Sequence, residues 1–234
     1  MRPLNLLFTL ASINVLVITI ERFSFTTGIL LEPFQFIRLH ELLQGPVFLT
    51  ISVVLSFLTL KIVSDNFKGL NTKTGLILGS LFVAGIYLYG MGEGWHEIAS
   101  FTFNQYCDTK NFSDNLCGGL FINDYYTGNI LFFIGGILMN GSLIFLEMMN
   151  PSKVFGNKDM SILFVNSFVY AFTFFAYAGF DRVLVGLYST LILMIIALYA
   201  FAKIKDKFRN YPYITYSALS YTLASIASII VRLR

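Results

Sequence analysis

Apolar residues fill this chain in seven long blocks, at about 4–22, 42–63, 74–95, 121–148, 160–180, 182–203 and 212–231, with short polar breaks between them. A helix needs roughly 20 mostly apolar residues to cross a bilayer, and each block meets that length. The pattern predicts an all-α fold: a polytopic transmembrane bundle of seven helices, forming a single domain over 1–234. The first block has no small-residue cleavage site after it, so it reads as a span and not as a removed signal peptide. Two stretches break the rhythm. The segment 23–41, FSFTTGILLEPFQFIRLHE, is too short and interrupted to span twice. Its Phe, Leu and Ile residues predict a helix or re-entrant piece lying in the interface, roofing a polar layer and admitting lipid from the side. The other stretch, 101–120, reads as the longest outer loop.

Composition agrees with this pattern. Hydrophobic residues make up 56% of the chain and charged residues 12%, about half the share of a soluble domain, and mean hydropathy is +0.71. Little chain remains outside the blocks, so there is no room for a soluble domain. No fixed-period repeat or low-complexity segment stands out.

Loop charges set an expected orientation. Arg2, Lys61, Lys68, Lys73, Lys153, Lys158, Lys203, Lys205, Lys207 and Arg209 fall on one side. Arg22, Arg38, Lys110, Arg182, Arg232 and Arg234 fall on the other. The richer side reads as cytoplasmic, with the N-terminus inside and the C-terminus outside. The pI of about 8.8 then reflects topology, and no nucleic-acid partner is implied. Cys107 and Cys117 share the outer loop, which predicts a structural disulfide in an oxidising compartment, on a plasma or secretory-pathway membrane. Asn111-Phe112-Ser113 in the same loop matches a glycosylation sequon.

The acids are distributed unevenly. Glu21, Glu32, Glu41, Glu93, Glu97, Asp108, Asp114, Asp124 and Asp181 lie at or beyond the outer boundary, and only Asp65, Glu147, Asp159 and Asp206 lie on the inner side. Both histidines, His40 and His96, are also outer, and a glutamate follows each directly. Glu93 lies about 27 Å along the third span at 1.5 Å per residue, at the edge of a hydrocarbon core about 30 Å thick. Glu93, His96 and Glu97 are spaced i, i+3 and i+4, so they share one helical face, with Ser100 one turn further on. Glu-x-x-His is the half-motif of carboxylate-bridged di-metal bundles, but His40 has Ile37 at i−3, so a second copy is missing.

Glycines 85, 90, 92 and 94 in the third span, and 128, 135, 136 and 141 in the fourth, predict close packing that brings Asp124 near His96. Asn14, Asn140 and Asn166 are the main deep polar side chains and are expected to bond between helices. Ser220, Ala224 and Ser228 form a small-residue packing stripe in the last span.

The candidate metal ligands are His96, Glu93, His40, Glu41 and Glu21, and the candidate catalytic groups are Glu97, Asp124 and Ser100. The same residues have plainer readings. Glu93, His96 and Glu97 suit a hydrated helix end beside a belt Trp95. Asp124 suits a helix N-cap, Glu21 with Arg22 a span anchor, His40 with Glu41 a polar helix start, and Asp181 with Arg182 a turn. No run of buried acids or arginines crosses the membrane, which argues against a pump, voltage sensor or ion channel. The last span has no lysine, which excludes a retinal Schiff base there. No P-loop, dinucleotide-binding glycine pattern or serine nucleophile elbow is present.

The seven-span layout, with GEGWHEIAS and INDYYTG near one membrane face, resembles the alkaline-ceramidase and progestin-receptor superfamily of seven-helix membrane hydrolases. The resemblance implies a zinc site in which His96, Ser100 and Asp124 stand for the family's early histidine, its serine and its aspartate. The family's late histidine pair has no counterpart, because spans 6 and 7 contain no histidine, and carboxylates would have to serve instead.

The leading expectation is a membrane enzyme that uses a divalent metal, zinc or iron, to hydrolyse an ester or amide of a lipid-like molecule. The alternatives are a binding or transport protein for a small polar solute or cation, a structural subunit of a membrane complex, and a haem protein using His40 and His96. The bilayer is the one certain partner, and no homo-oligomer is specified.

Overall fold

The computed structural model describes residues 2–110 and 115–234; the sequon at Asn111 and the acid Asp114 lie outside the described residues. The described residues contain seven helices long and apolar enough to cross a membrane: α1 (Pro3–Glu21), α2 (Leu39–Val63), α3 (Lys73–Tyr106), α4 (Asn115–Met149), α5 (Asn157–Phe180), α6 (Val185–Ile204) and α7 (Pro212–Arg232). No strand is present among the described residues, only a single antiparallel bridge between Leu30 and Arg38. The protein is an integral, multi-pass, all-α membrane bundle. Its helices alternate in direction. Glu21, His40, His96, Asp124 and Asp181 therefore share one end with the Cys107–Cys117 disulfide, and Lys61, Lys73, Lys158 and Lys203 lie towards the other. These are the disulfide end and the lysine end below.

Three boundaries differ from the hydropathy reading. The third span, expected to stop at 95, continues as α3 to Tyr106, and the fourth begins at Asn115 instead of 121, so the expected loop 101–120 shrinks to a short link. With 34 residues at 1.5 Å each, α3 is about 51 Å long and overshoots the hydrocarbon core by about 20 Å. Hydropathy marks where the membrane ends, but the helix continues because its extension has no Gly or Pro and packs inward. Phe101 and Phe103 are buried, and Thr102 and Asn104 bond back to the carbonyls of Ile98 (2.7 Å) and Ser100 (2.8 Å). The second span starts three residues early, at Leu39, which puts His40 and Glu41 in its first turn.

The segment 23–41 does not form one helix. Ser24 caps a short 3-10 turn, Phe25–Gly28, and the chain then folds back through the Leu30–Arg38 bridge. Gly28 and Pro33 interrupt any helical run, Pro33 because it lacks an N–H and restricts the residue before it.

Two wide π-turns matter for the site. Residues Leu43–Leu49, around Pro46, widen α2 just after His40. Residues Asn123–Gly128 widen α4 at Asp124. Such turns commonly mark functional positions in otherwise regular helices.

The most extensive packing is between α3 and α4. It depends on four of the eight glycines noted in the sequence, spaced seven apart on each helix. A Cβ added to Gly85 would lie 2.9 Å from the Gly135 carbonyl oxygen, and one on Gly92 would lie 2.7 Å from the Gly128 oxygen and against the Phe132 backbone nitrogen. One on Gly128 would lie 2.8 Å from the His96 Cα, and one on Gly135 would lie 2.6 Å from the Gly85 oxygen and against the Tyr89 nitrogen. The two backbones touch along this seam, which is how helices gain contact in lipid without a hydrophobic driving force. A Cβ on Gly94, Gly136 or Gly141 would meet nothing within 4 Å, so those glycines do not contribute to the seam.

All three deep asparagines bond between helices. Asn14 donates to Ser52 Oγ (2.8 Å), Asn166 donates to Thr9 Oγ1 (3.0 Å), and Asn140 accepts from the Tyr213 hydroxyl (2.7 Å). At the lysine end, the fully buried Glu147 accepts the backbone N–H groups of Tyr213 (3.0 Å) and Ile214 (2.8 Å). It thereby supplies acceptors to the free amides at the start of α7.

Gly135→Ala and Gly136→Ala are adjacent and chemically identical changes with opposite expected outcomes. Overpacking should cost the first about 1–3 kcal/mol. The second should be neutral or stabilising, because alanine is the better helix former. Thermal unfolding of the two variants in one detergent checks this.

Candidate functional site

The site begins where α1 ends. Glu21 is buried and has three neighbours. Its Oε1 accepts from the Thr26 hydroxyl, its Oε2 accepts from Gln44 Nε2 at 2.6 Å, and Oε2 also lies 2.7 Å from His40 Nδ1. The loop after α1 supplies Thr26, and the widened start of α2 supplies His40 and Gln44. The contact of His40 with Glu21 is short but not aligned as a hydrogen bond. It fixes the ring through Nδ1 and leaves Nε2 uncommitted.

His96 on α3 is arranged the same way from the other side. Its Nδ1 lies 2.7 Å from Asp124 Oδ1 and 3.1 Å from the Asp124 backbone oxygen. A backbone carbonyl only accepts, so Nδ1 carries a proton. The approach depends on Gly128, which lets α4 lie against the His96 backbone. Both imidazoles are thus oriented by a carboxylate behind them, the arrangement that positions histidines for metal binding or proton transfer.

One cluster has the composition of a metal site. One ligand atom each from His40, Glu41 and Glu97 lie within 4.8 Å of one another, and both glutamates are buried. Arg38 holds Glu41 through its guanidinium, and its own N–H bonds Glu41 Oε2 at 3.0 Å. The Arg38 guanidinium also lies over the Phe101 ring, 5.4 Å from its centroid, which ties this corner to the extension of α3.

These groups surround a polar cavity of about 430 Å3 at the disulfide end, lined by His40, His96, Glu97, Ser100 and Asp124 together with Arg22, Arg38, Asp181 and Arg182. A second cavity of about 270 Å3 lies deeper and is mostly apolar. Along α1 its lining runs from Arg22 to Leu7, about 22 Å at 1.5 Å per residue. Arg22, Ala176 and Tyr177 line both, and the Arg22 guanidinium sits over the Tyr177 ring, 5.0 Å from its centroid. A polar chamber and an apolar shaft therefore meet at one arginine.

The sequence candidates divide as follows. His40, Glu41 and Glu97 come together. His96 and Asp124 form a pair, and Ser100 lines the same cavity and accepts from Asn104 Nδ2 at 3.3 Å. Glu21 stands behind His40. Glu93, although on the same helical face, points to the apolar cavity beside Arg22. Cys107 and Cys117 are joined as expected, tying the end of α3 to the start of α4.

Several participants were not legible in the sequence. Asp181, which reads there as a turn residue, lines the polar cavity with a buried Oδ2 that has no hydrogen-bond partner. Burial pushes its carboxyl above the usual carboxylate range, while the Arg182 N–H and the nearby His96, Arg22 and Arg232 pull it back. Arg232 holds that turn in place by donating to the carbonyls of Ala178 (2.7 Å), Asp181 (2.8 Å) and Val183 (3.2 Å). Gln44, Thr26 and Tyr177 carried no signal, because their roles exist only once three or four helices have met.

Among the described residues, six carboxylates, Glu21, Glu41, Glu93, Glu97, Asp124 and Asp181, gather in this layer with four guanidiniums, Arg22, Arg38, Arg182 and Arg232, and the imidazoles of His40 and His96. Unbalanced charge away from water is costly, so the protons on the acids and imidazoles set the balance of the layer.

Comparison with known protein families, with curated proteins and with solved structures gives no match for this chain.

The His96–Asp124 pair predicts a measurable coupling. His96→Ala leaves a buried carboxylate without its partner, so each single variant should lose more stability than its share of the double variant. A double-mutant cycle on thermal unfolding should give a coupling of about 1 kcal/mol, inside the range for directly interacting groups. Additive losses would mean that the two side chains do not interact.

Proposed function

We propose that this protein is a membrane-embedded hydrolase that uses a divalent metal on an amphiphilic, lipid-like substrate. The observation that carries this reading is the junction of the two cavities. The polar chamber holds both histidines with Glu97 and Asp124, and it adjoins an apolar shaft at Arg22, Ala176 and Tyr177, which line both. A molecule with a polar group and a long apolar tail fits that shape.

The residues present fit a divalent cation on two counts. His40, Glu41 and Glu97 offer nitrogen and oxygen donors within 4.8 Å of one another, a donor set suited to zinc or iron. Asp181 Oδ2 is buried in the lining of the same chamber without a hydrogen bond. When bound, such a cation supplies Lewis acidity towards an ester or amide carbonyl and acidifies water.

The chain's own groups would do the remaining work. Glu21 and Arg38 hold His40 and Glu41 in position. His96 can take a proton at Nε2, and Asp124 at Nδ1 stabilises the resulting imidazolium. Ser100 offers a hydroxyl in the same chamber, and Arg22 can hold the substrate's polar group at the mouth of the shaft. The charge bias of the loops and the disulfide support a site facing the outside of a plasma or secretory-pathway membrane, with the N-terminus in the cytoplasm. The polar chamber near one face is also the feature shared with the seven-helix hydrolase superfamily.

Metal analysis and turnover together test this. Purified protein should carry stoichiometric zinc or iron, and His40→Ala and Glu97→Gln should lose it. His96→Ala should keep the metal and lose hydrolysis of lipid esters or amides by about 10²-fold or more, the usual contribution of a general acid–base group. Metal-free protein that stays inactive after reconstitution would overturn the reading. A binding or transport role is the second reading, favoured by Asn14, Ser52, Asn140 and Tyr213, whose polar groups line the shaft. Thermal stabilisation by a polar solute without product would support it.

A further inference from the structure

The loop between α1 and α2 shows an unusual surface. Phe23, Phe25, Phe34 and Phe36 are 88%, 77%, 74% and 70% exposed. Between Arg22 and Arg38, Glu32 is the loop's one charged residue. The loop is nonetheless well built. Leu31 N–H bonds the Ile37 carbonyl at 2.9 Å, and Leu39 N–H bonds the Ile29 carbonyl at 2.8 Å, closing it on itself beside the Leu30–Arg38 bridge. Its inner side belongs to the site: Thr26 bonds Glu21, and Thr27 and Arg38 line the polar chamber. Phe23 lines the apolar shaft and is at the same time almost fully exposed, so it stands at the mouth of that shaft.

We propose that this loop is seated in the bilayer, with its phenylalanines among the acyl chains, and that Phe23 marks a lateral mouth through which an amphiphile passes between the bilayer and the shaft. Two features identify lipid as the occupant. Both flanking helices meet the membrane boundary at the loop's ends, so the rings are held at interface depth by chain continuity. Trp95 on α3, one residue before His96, is also exposed, and tryptophan is the residue type enriched at such a boundary. Aromatic and aliphatic groups on a nearly uncharged surface at that depth partition into the interface. The loop's seating does not depend on the proposed metal chemistry and can fail or stand without it.

The chain has a single tryptophan, which makes a clean probe possible. Trp95→Phe removes it, and Phe34→Trp or, separately, Phe25→Trp restores one on the loop. Each full-length variant is placed in phosphatidylcholine nanodiscs with or without brominated acyl chains. Brominated lipid should remove most of the loop tryptophan's emission, and aqueous acrylamide should remove little. Quenching by acrylamide alone would put the loop in water, and shielding from both would put it against a second copy or another protein; either result overturns the proposal. In Phe23→Trp, on the same background, a doxyl-labelled single-chain fatty acid should quench the emission. An unquenched tryptophan there would overturn the mouth even if the loop itself is inserted.

Discussion

The backbone contact between α3 and α4 is the constraint on which this structure depends. In lipid, two helices gain nothing by hiding apolar surface, so they associate where their backbones can approach closely. Gly85, Gly92, Gly128 and Gly135 provide that approach at four levels. The uppermost level places Gly128 against His96, and Asp124, one turn earlier on the widened part of α4, reaches the imidazole as a result. The disulfide holds the same two helices together beyond the membrane boundary. One packing solution thus sets both the stability of the bundle and the geometry of half the site.

The other half is assembled by a shorter-range device. Glu21 ends α1, and His40 and Gln44 open α2, so the loop between them has to bring these ends together. Thr26, inside the loop, completes the coordination of Glu21. The carboxylate is satisfied, and the histidine is turned towards the chamber. Charged groups at this depth survive because they lie at the edge of the hydrocarbon, where a polar cavity can replace the solvent that the membrane removes.

The two ends of the bundle solve different problems. At the lysine end, Glu147 caps α7, and Arg2 pairs with Asp159 at 3.1 Å while donating to the carbonyls of Lys153 and Val154. These interactions tie charged groups to fixed partners, and Asn5 Oδ1 at the same end is buried without one. At the disulfide end, the two histidine–carboxylate pairs and Asp181, whose Oδ2 is buried without a hydrogen bond, lie around a polar chamber.

The sequence by itself determined the number of helices, their membrane character and the layer that holds the acids and histidines. These follow from local quantities: runs of apolar residues long enough to span, and the i, i+3, i+4 spacing of Glu93, His96 and Glu97. It also pointed to the helix pair that packs closely, though not to which four of its eight glycines make contact. The tertiary structure decided the rest. It turned Glu93 towards the shaft and Glu97 towards His40, on a helix face where both looked equivalent, because the neighbours that distinguish them come from α1 and α2. It brought Asp181 into the chamber through Arg232, fifty-one residues away. It extended α3 past the membrane, because a helix ends where its hydrogen bonds and packing stop, and hydropathy records only where the lipid stops. Periodicity fixes what a residue can face, and only the packed bundle fixes what it does face.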